Sequence, residues 1–165
     1  VGSEVSYSEL ANSVGMDKAT VEKYITLLEQ IQVIFRLGSF SRNLRNELKM
    51  SKKVYFYDNG IRNALIGNFN DIALRDDQGK LWENYMISEL KKKHEYTGDY
   101  ALTYFWRTVQ QQEIDYLEEK DGVLMAYEFK WNPKKKARVS KTFLNAYPHS
   151  NVITITPENY YEVLI

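Results

Sequence analysis

The sequence predicts an α/β (α+β) fold, a mixed sheet flanked by helices, and three observations carry that prediction. Helix signals and strand signals alternate along the whole chain. DYLEEKDGVLMAYEFK (115–130) sets two apolar runs around an Asp-Gly turn, the signature of a β-hairpin. GKLWENYMISELKKKHEY (79–96) carries the strongest helical pattern. The 165 residues are 44% hydrophobic and 14% aromatic, enough for a sizeable core. There is no Cys, so disulfides and thiolate metal sites are excluded. No window reaches the length of a membrane span, and no apolar leader follows a basic start. A cytoplasmic protein without membrane contact is expected. The first residue is not Met, which reads as a fragment of a longer protein.

In chain order, Ser6-Tyr7-Ser8-Glu9 is a capping box with Val5 and Leu10 as a hydrophobic staple, so a short helix should run to Gly15. Asp17 can cap a second helix, with Val21, Ile25 and Leu28 on one face. IQVIFRLGSFSR (31–42) reads as a strand, a turn and a second strand, and KKVYFYD (52–58) as another strand. Helix, turn, helix and β-ribbon is the order of a winged-helix module, here over 1–67 and lacking the usual first helix. The second helix mixes Lys18 and Lys23 with Glu22 and Glu29, a poor reading head for DNA. Arg36, Arg42, Arg45, Lys49, Lys52 and Lys53 make the wing the more basic part.

A second domain is expected over 68–165. Its long helix should bury Leu81, Tyr85, Ile87 or Ser88, and Leu90, with Lys91, Lys92 and Lys93 at the negative end of the dipole. Strands near 102–107, 112–119 and 123–130, a helix near 138–146 and a strand at 151–156 complete the order.

The hairpin register follows from its turn. With Asp121-Gly122 as a type I′ turn, Asp115 faces Glu128 and Glu113 faces Lys130. Alternation then puts Asp115, Glu128 and Lys130 on one side, and Ile114, Tyr116, Met125, Tyr127 and Phe129 on the other. Two opposed carboxylates repel, and burial raises that cost. A hard divalent cation, Mg²⁺ or Mn²⁺, answers both problems, and Lys130 can orient or activate a water or stabilise charge on a phosphate. From Lys130 through Pro157 there are six Lys/Arg and no acid. Lys134, Lys135, Lys136 and Arg138 there, with Arg107, are the candidate contacts to a nucleic-acid backbone. Trp131 can stack on a base or pack.

Asp115 followed by Glu128-Phe129-Lys130 resembles the PD-(D/E)xK nuclease superfamily, with Ile114 in place of the motif's Pro. That superfamily commonly adds a Glu from the preceding helix, and Glu83 stands there. The resemblance implies a restriction-endonuclease-like domain. It implies Glu83, Asp115, Glu128 and the Phe129 carbonyl as metal ligands, and Lys130 beside the three carboxylates as the catalytic lysine. SYSELANSVGMDKATVEKYITLLE, KVYFYDNGIRNALIG, GKLWENYMISEL and EIDYLEEKDGVLMAYEFK together are similar to an uncharacterised domain at the C-terminus of bacterial and archaeal AAA-type ATPases. This implies an upstream ATPase domain as partner. There is no GxxxxGK[ST] in the chain, so no ATP binding is expected here. The leading expectation is DNA binding with metal-dependent phosphodiester hydrolysis. The alternative is a regulatory or interaction domain with a relic metal site.

Overall fold

Ser6 accepts the Glu9 amide at 3.3 Å and starts helix α1 (Tyr7–Val14), which Gly15 closes at φ 68°. Asp17 accepts the Thr20 amide at 2.9 Å and starts α2 (Lys18–Gln30). These local signals organise a computed structural model that describes residues 2–42, 51–134 and 139–165. Strand β1 (Ser3–Glu4) precedes the two helices, and β2 (Ile34–Ser39) and β3 (Lys52–Phe56) follow them. Helix α3 (Asn59–Leu65) is capped twice by Asp58. A 3-10 turn (Ile72–Leu74) leads into α4 (Gln78–Thr97). Then come β4 (Leu102–Arg107), β5 (Glu113–Lys120), β6 (Val123–Phe129), α5 (Lys141–Ala146), β7 (Asn151–Ile155) and α6 (Tyr161–Leu164).

Among the described residues seven strands form one sheet, in the order β1-β3-β2-β4-β5-β6-β7. The β2/β4 and β6/β7 pairs are parallel and the others antiparallel. The chain therefore has the expected mixed α+β fold. The sheet runs on from the N-terminal strands into β4. Gly38 pairs with Lys52 on one side and Tyr104 on the other, so the turn expected within 31–42 is instead a ladder position of a single strand. No helix among the described residues is long and apolar enough to cross a membrane.

Each face of the sheet holds a core. On the α4 side, Trp82, Met86, Ile87 and Leu90 meet Phe35, Leu37, Tyr55, Phe105, Tyr116, Tyr127, Phe129 and Ile155. On the α5 side, Phe143 and Tyr147 meet Phe40, Trp106, Ile114, Leu117 and Ala126. Tyr85, expected in the buried stripe of α4, stands at its rim at 36% exposure, while Trp82 and Met86 take the buried positions. Asn84 is fully buried and acts as a clasp. Its side chain accepts the Phe56 amide at 2.8 Å and donates to the Phe56 carbonyl at 3.0 Å, so α4 is tied to β3 as a strand would be.

The hairpin turn forms as derived, with Asp121 at φ 50° and Gly122 at φ 78°. The register is also as derived from Lys120↔Val123 to Tyr116↔Tyr127. It stops there. Leu117 pairs with Tyr104 and Ile114 with Trp106, so Asp115 and Tyr116 together oppose the single residue Phe105. This β-bulge shifts the alternation by one. Ile114, expected beside Tyr116, consequently packs in the α5-side core. The direct Asp115–Glu128 rung is replaced by a side-chain bond, in which the Phe129 amide donates to Asp115 Oδ2 at 2.9 Å.

Candidate functional site

The bulge turns Asp115 into a network of four carboxylates and two lysines where α4, β3, β5 and β6 meet. Glu83, in the second turn of α4, accepts a hydrogen bond from the Tyr55 hydroxyl at 2.7 Å. Lys53 lies 3.7 Å from Glu83 Oε1 and is ion-paired to Glu113. Lys130 bridges the other two acids, 2.9 Å from Glu128 Oε2 and 3.6 Å from Asp115 Oδ2. Two ion-paired groups result, Lys53 with Glu83 and Glu113 and Lys130 with Asp115 and Glu128, and each feels the other's charge. Phe129 stands between Glu128 and Lys130, its ring in the α4-side core and its amide on Asp115.

The expected Glu113–Lys130 pair is absent because the bulge rotates Glu113 out of register. Glu113 is held instead by Lys53 and by Arg107, whose Nε lies 3.4 Å away. Arg107 also reaches Glu4 at 3.3 Å and the Gln111 side chain, so acids and an amide surround its guanidinium. Lys134 is exposed in a turn made by Asn132. Lys135, Lys136 and Arg138 lie outside the described residues, as do Arg45 and Lys49. Trp131 packs edge-to-face on Trp82 with ring centroids 5.9 Å apart. A cleft of about 690 Å³ opens beside it, lined by Phe129, Lys130, Gln78 and Gly79 among others.

Residues 78–163 match a family model described as a domain of unknown function, DUF4143. The chain belongs to the DUF4143 family. Residues 1–72 match a second domain of unknown function, DUF8612. Uncharacterized proteins of Mycobacterium bovis and Mycobacterium tuberculosis are each 28% identical to the chain over 136 residues. The matched stretch is 78% of this chain and 29% of each relative, so the chain spans less than a third of those proteins. No solved structure matches.

Within the DUF4143 segment the carboxylates carry more negative charge than their surroundings tolerate. Burial, with the repulsion of Asp115, pushes Glu83 up to about 7 against the pull of Lys53 and Tyr55. Burial and Asp115 likewise push Glu128 up to about 7 against Lys130. Asp115 is raised by burial, with Lys130 and the Phe129 amide opposing. Burial acts to lower Lys130, but the attraction of Asp115 and Glu128 outweighs it and raises Lys130. Glu83, Asp115 and Glu128 thus hold protons unusually well and Lys130 stays an ammonium.

Oxygen donors with surplus negative charge suit a hard divalent cation. The present spacing is that of an ion-paired network, and among the described residues no three acidic or imidazole side chains stand grouped to hold a metal. The fit to Mg²⁺ or Mn²⁺ therefore lies in donor type and charge, and a cation would enter by displacing a lysine.

Lys53 is the site residue that sequence reasoning misplaced. Counted there with the basic wing, it is 2% exposed and reaches into the DUF4143 network. Its signal is faint: a lysine inside a strand, on the face it shares with Tyr55. Other wing cations are also engaged, Arg36 by Glu29 and Tyr7, and Arg42 by Glu119.

Proposed function

We propose that the chain is a DNA-binding domain of an ATPase-family protein, with a site for Mg²⁺- or Mn²⁺-dependent phosphodiester hydrolysis. The observation that carries this reading is the grouping of Asp115, Glu128 and Lys130 at the open end of one hairpin, with Glu83 near enough to feel the charge of Asp115. The carboxylates of Glu83, Asp115 and Glu128, with the Phe129 carbonyl, would hold the cation. Bound there, it would supply Lewis acidity toward a phosphate and an activated water. Lys130, kept protonated by Asp115 and Glu128, serves as a donor to a phosphoryl oxygen and not as a base. Asp115 positions the strand end by holding the Phe129 amide. Lys134, Lys135, Lys136 and Arg138 supply sequence-independent backbone contacts, and Arg107 would join them only by leaving Glu4 and Glu113. The N-terminal helices and wing, read as a winged-helix module, join this unit to an upstream ATPase domain.

The test is cleavage of plasmid and single-stranded DNA with Mg²⁺ or Mn²⁺, using wild type, Asp115→Asn and Lys130→Ala. Metal-dependent cutting that falls by about a hundredfold or more in both variants supports the reading. No cutting by wild type, or cutting that survives both changes, sinks it. A second reading, a regulatory or interaction domain with a relic site, draws support from the lysines that already compensate the carboxylates. Intact DNA under every metal condition would favour it.

A further inference from the structure

Lys53 does not belong to the segment that carries the other site residues, yet it is the most deeply buried charge in the network, at 2% exposure. It comes from β3, and its ammonium sits where Glu83 and Glu113 converge, over the ring of Phe105 at 5.1 Å from the centroid. Two lysines thus divide the four acids, Lys53 taking Glu83 and Glu113, and Lys130 taking Asp115 and Glu128. A buried lysine needs carboxylate partners, and a carboxylate that serves it is less available to another cation.

We propose that Lys53 is a tethered counter-ion that competes with a divalent cation for Glu83 and thereby sets the cation affinity of the site. The inference rests on the metal-binding reading above and extends it to regulation. A cation entering at Glu83 meets the Lys53 ammonium, which must swing toward Glu113 or leave. The Asn84 clasp ties α4 to β3 at Phe56, so the seating of β3 on α4 fixes where Lys53 stands relative to Glu83. The N-terminal part of the chain therefore supplies a charge that faces the acidic site without contributing a metal ligand to it.

The measurement is Mn²⁺ affinity by calorimetry and by electron paramagnetic resonance, on the full chain. Wild type is compared with Lys53→Met, Lys53→Gln, Lys52→Gln and Asp115→Asn. Lys52 is an exposed neighbour, so its substitution alters net charge equally while leaving the network intact. Removing Lys53 should tighten Mn²⁺ binding by about tenfold or more, the scale on which a cation at this distance alters a carboxylate's hold on positive charge. Lys52→Gln should stay within about twofold of wild type at moderate salt, as expected for a screened surface charge. Circular dichroism identifies folded variants, and Lys53→Gln, which keeps polar contacts, stands in if Lys53→Met unfolds. If neither substitution folds, the wild type decides by the reactivity of Lys53 toward an amine-acylating reagent. Saturating Mn²⁺ should then raise it at least twofold, and an unchanged rate overturns the proposal. Asp115-dependent binding that Lys53 substitution fails to tighten overturns the proposal and leaves the metal reading standing. Absence of Asp115-dependent binding in every folded protein overturns both.

Discussion

Glu83 and Glu128 are each held in an environment that opposes its charge. Burial and the charge of Asp115 push both up to about 7 in the folded chain, against about 4.3 for a free Glu. Between those values the folded chain binds more protons than the unfolded one, so stability falls as pH rises from about 4.5 to 7 and levels off above. Glu128→Gln keeps an acceptor for Lys130 and removes the charge. At pH 8 we expect it to gain on the order of 2 kcal/mol, or several degrees in Tm, with the difference vanishing near pH 4. Melting curves from pH 4 to 9 decide, and a variant that tracks wild type throughout would show no strain at Glu128. Asp115, Glu128 and Lys130 were legible in the sequence because they sit on one hairpin whose turn announces itself, whereas Glu83 came only from the resemblance. Lys53 was not, since its burial depends on Glu113, sixty positions away.

Elements with local causes could be read off directly. Ser6 and Asp17 cap helices through amides three residues on, so the signal and its effect share one short stretch. The Asp121-Gly122 turn is of the same kind. The bulge in β5 could not be read, because it exists only relative to Phe105 on β4. Asp115 is its extra residue: without it, Tyr116 opposes Phe105 and every apolar side chain of β5 keeps its face. Deleting Asp115 should therefore leave a folded chain that is destabilised by about 1–2 kcal/mol, mainly through the lost Phe129 amide bond. Denaturant unfolding checks this. Loss of the cooperative transition would show that the bulge is needed for the core as well as for the site.

At the scale of the molecule, the parts expected at 1–67 and 68–165 share a sheet and a core. Phe35, Leu37 and Tyr55 come from the first part and pack on Met86, Phe105 and Tyr116 of the second. A chain restricted to 68–165 would expose the β4 edge and leave Glu113 without Lys53. We expect such a chain to lose a large fraction of the stability of the whole, and the full chain to melt in a single calorimetric transition. Two well-separated transitions would mean that the halves fold independently. The β2/β4 join has only two paired positions, Gly38↔Tyr104 and Ser39↔Phe105. Arg42–Glu119, Lys53–Glu113, Lys53–Glu83 and Arg107–Glu4 reinforce it, each uniting a residue of one half with a residue of the other. Severed in the polar connection at residues 68–71, the protein becomes a candidate for fragment complementation, with a reassembly constant that ionic strength tunes.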